Sequence, residues 1–353
     1  MNESIQVKNP PRPLYQFGVC LILLIILRIG LERAALPLSV LPAANILVSA
    51  AFIAIPVLAL YRAAAFHWTW VLAGAFIAVG VALQFGTLAM LPKLPIGSPI
   101  GLFIAISQTG LLIWCLGLAA ALSLAIRDRN MLVPMAIFLA LFDIWLVFVP
   151  EGPVGQVARG NQTQLAQIAF TVPKPVAAPT TGAPTALAYI GPADFLFMAM
   201  FFCAICRFKL RYAETARWMV PVLAGYLAIA LLTPNVSIGP IRLGALPALV
   251  PIAAVVMAMN FREFKLSRDE KQTTFALAII GIAVVTWRFM VASQPKPPAP
   301  VEETMIEQEA PAGPLPMVGG PTSKIPLGTP AQGARNSQTY RPPQPQKGKP
   351  GPP

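Results

Sequence analysis

The chain has 353 residues, of which 56% are hydrophobic and only 11% charged, and it carries a formal net charge of +12. Soluble domains have about 25% charged residues, so this composition excludes a soluble globular domain. The positive residues sit mostly in short loops between apolar runs, as on the cytoplasmic face of a membrane protein; no basic stripe interleaved with aromatics marks a nucleic-acid partner.

Apolar runs of roughly 20 residues cross a bilayer. After a polar segment at 1–14, nine such runs are expected at 15–31, 38–61, 68–91, 96–126, 130–149, 185–206, 216–232, 245–261 and 273–292. The expected fold is therefore an all-α, multi-pass transmembrane helical bundle. The first run, with Arg28 near its end, reads as an uncleaved anchor, because no small-x-small site follows its apolar core. The fourth is long and is expected to tilt or to break at Gly110.

The 151–184 segment is the one long internal loop, rich in Gly, Pro, Ala and Thr, and it contains the glycosylation-type triplet Asn161-Gln162-Thr163. Sixteen of the residues 294–353 are proline, which predicts a disordered tail with polyproline II stretches. Arg341-Pro342-Pro343-Gln344-Pro345 in that tail has the composition of a segment that docks in an aromatic groove of a partner; a plain flexible tail is the alternative. The organisation is then 1–14, an N-terminal transmembrane region at 15–126, a core at 127–261, a loop and last span at 262–293, and the tail at 294–353.

Lys and Arg in short loops set orientation. Arg207, Lys209, Arg211 and Arg217 follow the sixth span, and Arg262, Lys265, Arg268 and Lys271 follow the eighth. Both loops are expected on the cytoplasmic side, together with the N-terminus, in the plasma membrane of a prokaryote. The 151–184 loop and the tail then lie outside.

Four cysteines, Cys20, Cys115, Cys203 and Cys206, all lie in apolar runs. The C-x-x-C spacing of Cys203 and Cys206 is compatible with redox or metal chemistry, but free cysteines are ordinarily small hydrophobes. The single histidine, His67, stands beside Trp68 and Trp70 and reads as part of an interfacial belt. No metal and no cofactor are expected.

Of fourteen acidic residues, only Asp143 and Asp194 lie well inside apolar runs. A carboxylate at mid-membrane costs at least about 2.5 kcal/mol and marks function by default. Asp143 lies seven residues before Pro150, and Asp194 nine after Thr185. At the helical rise these are depths of roughly 10 and 14 Å from one membrane face. If the two consecutive spans pack together, the carboxylates meet. Like charges in a low-dielectric site cannot both ionise easily. One then keeps a proton and donates to a carbonyl oxygen while the other acts as base on a water. Two other roles fit the same spacing: proton or cation binding during transport, and satisfaction of backbone groups or an arginine.

The surrounding residues resemble a known family. Phe142-Asp143, in LALFDIWLVFVPEGP, is similar to the Tyr-Asp span of presenilin and signal peptide peptidase, and Pro150-Glu151-Gly152-Pro153 to the Pro-x-Gly-Pro turn that follows it in presenilins. Gly191-Pro192-Ala193-Asp194, in YIGPADFLF, looks like their Gly-x-Gly-Asp motif, with alanine at the second glycine. Cys206-Arg207-Phe208 resembles the Arg-Phe that follows this span in signal peptide peptidases, and Pro247-Ala248-Leu249 resembles their Pro-Ala-Leu motif. The resemblance covers about residues 130–260, with the motifs in the family's order. It implies intramembrane aspartyl proteolysis of transmembrane-helix protein substrates, with Asp143 and Asp194 as the dyad and Pro247–Leu249 shaping the site. A non-catalytic scaffold or chaperone of the same family, and a proton-linked transporter, are the alternatives.

Overall fold

In lipid every backbone polar group must be satisfied inside the segment, so apolar runs of this length fold as helices. The computed structural model describes residues 12–33, 37, 39–93, 100–148, 167–175, 186–233, 237–238, 241–242 and 247–292. Among them are nine α-helices: α1 (Arg12–Arg33), α2 (Leu41–Ala64), α3 (Trp70–Met90), α4 (Ile100–Ala125), α5 (Leu132–Phe148), α6 (Pro192–Arg207), α7 (Tyr212–Leu232), α8 (Leu249–Asn260) and α9 (Arg268–Ala292). Each expected span overlaps one of them. Five segments, one in each of α1 to α5, are long and apolar enough to cross a membrane, which gives the chain its transmembrane helical character. The tail at 294–353, the Asn161 triplet and the Pro150–Pro153 turn lie outside the described residues.

The expectation of an all-α fold needs two corrections. Within and just after the long loop, β1 (Phe170–Pro173) and β2 (Ala186–Ile190) pair antiparallel, with Phe170 opposite Ile190 and Thr171 opposite Tyr189. A second, two-residue pair joins β3 (Ser237–Ile238) to β4 (Ile241–Arg242). Residues 186–190 belong to a strand and not to the sixth span, so α6 starts only at Pro192. Proline at the first helical position loses nothing there, because that N–H has no helical acceptor.

Sixteen-residue α6 is buried on all sides, from Phe195 to Ile205 with only Phe197 partly exposed. An all-round apolar helix belongs in the centre of a bundle, and α4 and α2 pack against it. The β1–β2 pair is pinned to this core through Phe170, whose ring meets Phe195 edge-on at 5.2 Å and Phe52 at 6.1 Å. Around this centre α1 lies on α2 and α4, α7 on α2 and α8, and α9 on α5. Trp68 is part of this interior, with its indole N–H donating to the Ala63 carbonyl at 3.1 Å, while His67 and Trp70 are exposed. The expected belt is thus only partly one.

Of the tilt or break expected at Gly110, the break does not occur: helix α4 runs unbroken through it. Gly110 serves helix packing instead. A methyl there would meet the Gln84 amide nitrogen at 2.6 Å and the Gly80 carbonyl at 2.7 Å, and one at Gly117 would meet the Ala73 carbonyl at 2.8 Å. Small residues let two membrane helices approach backbone to backbone, and here they join α3 to α4.

Polar side chains inside the bundle find partners far along the chain. Arg28 is 3% exposed. Its Nη1 donates to the Thr171 carbonyl at 3.1 Å and its Nη2 to Thr171 Oγ1 at 3.0 Å, and it also donates to Gln108 Oε1. Arg28, near the end of the first apolar run, is therefore an interior group of the bundle. These residues, with Gln84, Ser107 and Tyr189, face a cavity of about 200 Å³. At the other end of α6, Arg207 donates to the carbonyls of Ser123, Leu124 and Ile126 at 2.5, 3.2 and 3.0 Å. The last carbonyls of a helix have no internal donor, so Arg207 caps α4 and ties it to α6.

Two stability measurements follow. Gly110→Leu is expected to lower the unfolding free energy of the detergent-purified protein by about 1–3 kcal/mol or more, the cost of overpacking. Gly86→Ala, where nothing lies within 4 Å of the added methyl, is expected to be neutral. Arg207→Met is expected to cost about 1.5–3 kcal/mol, the worth of hydrogen bonds made by a charged donor. A thermal midpoint equal to the parent's in either disruptive variant would contradict the packing described.

Candidate active site

Asp143 is on α5, five residues before the helix ends at Phe148, and is 8% exposed. Its Oδ2 accepts the Leu249 N–H at 2.7 Å. Leu249 is the first residue of α8, where backbone N–H groups have no helical acceptor. Asp143 thus caps α8 from another helix, where the positive end of the helix dipole also favours a carboxylate.

Asp194 performs the same service for its own helix. Gly191 is the N-cap of α6, Pro192 the first helical residue and Asp194 the third. The carboxylate folds back to accept the Gly191 N–H at 3.1 Å, the returning half of a capping box. The depth of 14 Å expected for Asp194 is therefore too large: strand residues 186–190 account for the difference, and Asp194 lies in the first turn of α6.

The two aspartates lie within electrostatic reach of one another, though not through a simple pairing of consecutive spans. Helix α8 packs on both α5 and α6, and it is the element that links them. The Asp143 carboxylate acts electrostatically on Asp194, and the Tyr226 hydroxyl of α7 is within electrostatic reach of both. Tyr226 Oη donates to the Pro247 carbonyl at 2.9 Å. Pro247 is buried and stands just ahead of α8, Ala248 is the N-cap and Leu249 begins the helix. Pro247-Ala248-Leu249 is thus a turn bonded to Asp143 on one side and to Tyr226 on the other. The eighth span, expected from 245, thus has its helix begin only at Leu249.

The remaining motif residues fall differently. Gly191 sits where an added methyl would meet Asp194 Oδ2 at 3.3 Å, and the Pro192 carbonyl faces the Cys115 thiol at 3.3 Å. Ala193 is exposed, so its methyl points away from the packed interior. Phe142 is outside the site. It is 40% exposed, stacks with Phe138 at 5.8 Å and meets the tilted Trp145 ring at 5.6 Å on the outer face of α5. Adjacent helical residues differ by about 100° in direction, so a helix that turns Asp143 inward turns its neighbour away. Cys203 is buried within α6 and Cys206 is half-buried, both as free thiols.

Tyr226 has no counterpart among the sequence motifs. The available hint was a phenol inside an apolar run, since a buried tyrosine hydroxyl ordinarily finds a partner. Chemically, the arrangement is two carboxylates within electrostatic reach of one another, each accepting a backbone N–H at a helix start, beside the Pro247–Leu249 turn.

The cap is separable from any chemistry. Asp194→Asn keeps an acceptor for Gly191 and is expected to match the parent's thermal midpoint, whereas Asp194→Ala is expected to lose about 1 kcal/mol, the worth of a capping bond. Equal midpoints for the alanine variant and the parent would mean that the bond carries no stability. No family model, no curated protein and no solved structure matches the chain, so the site stands on its own residues and their geometry.

Proposed function

We propose that the chain is an intramembrane aspartyl endopeptidase, a divergent member of the presenilin and signal peptide peptidase family. It hydrolyses a peptide bond in or near a transmembrane helix of a protein substrate. The observation that carries this reading is that α8 packs on both helices bearing the acids of the apolar runs, Asp143 and Asp194, and that Asp143 bonds its first residue at the Pro247–Leu249 turn. One carboxylate takes a proton from water as the oxygen attacks the scissile carbonyl carbon. The other, protonated, donates to the carbonyl oxygen. The C–N bond then breaks as a proton passes to the leaving amine. A substrate helix has to unwind first, because a helical peptide bond is hidden by its own hydrogen bonds. In the same proposal the nine helices are nine spans, the N-terminus is cytoplasmic in a prokaryotic plasma membrane, and the proline-rich tail lies outside.

A second reading has its own support. Each carboxylate already satisfies a backbone N–H at a helix start, which is the work expected of it in a non-catalytic scaffold that binds helices.

The test uses asparagine variants, which keep an acceptor oxygen for each cap. In a cleavage assay with a model transmembrane substrate in liposomes, Asp143→Asn and Asp194→Asn are each expected to lose at least about 10²-fold in rate, the usual contribution of a proton-transferring group. Their thermal midpoints should stay near the parent's. Parental cleavage by both variants would sink the protease reading. A parent that cleaves nothing, while Ala193→Gly cleaves, would favour the scaffold.

A further inference from the structure

We infer that Tyr226 is a positioning residue of the candidate site, holding the Pro247–Ala248 turn so that the Leu249 N–H meets the Asp143 carboxylate. The link to chemistry rests on the protease reading; the hold on the turn does not.

The first carbonyl that α8 uses is that of its N-cap Ala248, which accepts the Ile252 N–H at 3.4 Å. The Pro247 carbonyl, one residue earlier, lies ahead of the helix, and Pro251 has no N–H to offer it either. The Pro247 carbonyl is in a buried residue and would lack a partner at a cost. The Tyr226 hydroxyl supplies the missing donor from α7, at 2.9 Å. Two residues later the opposite deficit occurs. Leu249 carries an N–H with no helical acceptor, and Asp143 supplies the oxygen at 2.7 Å. One short turn is thus held by its carbonyl from α7 and by its N–H from α5.

The hold has a fixed frame. Helices α7 and α8 are clamped at their opposite ends by Asn260, which is 0% exposed. Its Nδ2 donates to Thr215 Oγ1 at 2.9 Å, and its Oδ1 accepts the Arg211 N–H at 2.9 Å. With that end fixed, the Tyr226 bond sets where α8 begins relative to α7. The direction of the Leu249 N–H, and hence of the Asp143 carboxylate, follows from it. Tyr226 is also within electrostatic reach of both carboxylates, so it stands beside the pair. Its own bond, however, goes to the turn.

Tyr226→Phe keeps the ring and removes the donor. In the full chain reconstituted in liposomes, amide exchange of the Leu249 N–H is expected to rise about fivefold, the equivalent of one ordinary hydrogen bond. Exchange in the Asn260 region should stay at the parent's level. With a cleaved transmembrane substrate, kcat is expected to fall about tenfold while KM holds, as for an interaction that matters to the chemical step and not to binding. Asp143→Ala serves as the control that frees the Leu249 N–H outright. Unchanged exchange in Tyr226→Phe overturns the inference, and so does faster exchange with undiminished kcat. If the parent cleaves nothing while Tyr226→Phe still speeds Leu249 exchange, the positioning stands and the protease reading is the one that fails.

Discussion

A helix that begins inside an apolar bundle carries backbone N–H groups that water cannot reach, and each costs several kcal/mol if left unsatisfied. Helices α6 and α8 both begin in this way, at the same end of the bundle. Both meet the constraint with a carboxylate: Asp194 returns to Gly191 within its own helix, and Asp143 reaches Leu249 from α5. The constraint accounts for why two acids persist in apolar runs. It also accounts for why they lie within electrostatic reach of one another, since the helix starts that they cap are neighbours.

That end of the bundle is held in place by packing elsewhere. The start of α6 is set by the β1–β2 pair, which Phe170 anchors against Phe195 and Phe52. Its far end is tied by Arg207 to the last carbonyls of α4. Helix α4 is in turn fixed by backbone-to-backbone contact with α3 at Gly80, Gly110 and Gly117. Close-packed interiors transmit displacement poorly absorbed elsewhere, so these remote contacts bear on the position of Asp194.

The polar residues that interrupt the apolar runs share one behaviour. Arg28, Gln108 and Thr171 satisfy each other across α1, α4 and β1. Tyr226 reaches Pro247, and Asn260 joins α8 to α7. Buried polar groups are paired because an unmade bond in a low dielectric is costly. Each isolated polar residue therefore acts as a tie between distant segments. The two carboxylates belong to this set of ties, whatever chemistry they also perform.

The approximate place of the helices among the described residues was legible in the sequence, because long apolar runs have one way to satisfy their backbone in lipid. So was the exceptional character of Asp143 and Asp194, which follows from the cost of a charge among such residues. Local patterns placed the helix starts only to within a few residues: the sixth span, expected from 185, has its helix begin at Pro192, and the eighth, expected from 245, at Leu249. What is not local was decided by tertiary structure. Residues 186–190 look like the start of a span, yet they form a strand because Phe170–Pro173 is there to pair with them. Phe142 adjoins Asp143 in sequence but faces outward, since the helical turn separates neighbours. Arg28 stands near the end of an apolar run, and it is interior because its acceptors lie 80 and 143 residues away. Composition and spacing determine which segments enter the membrane. Which of their polar groups become partners depends on three-dimensional proximity, and no one-dimensional pattern encodes it.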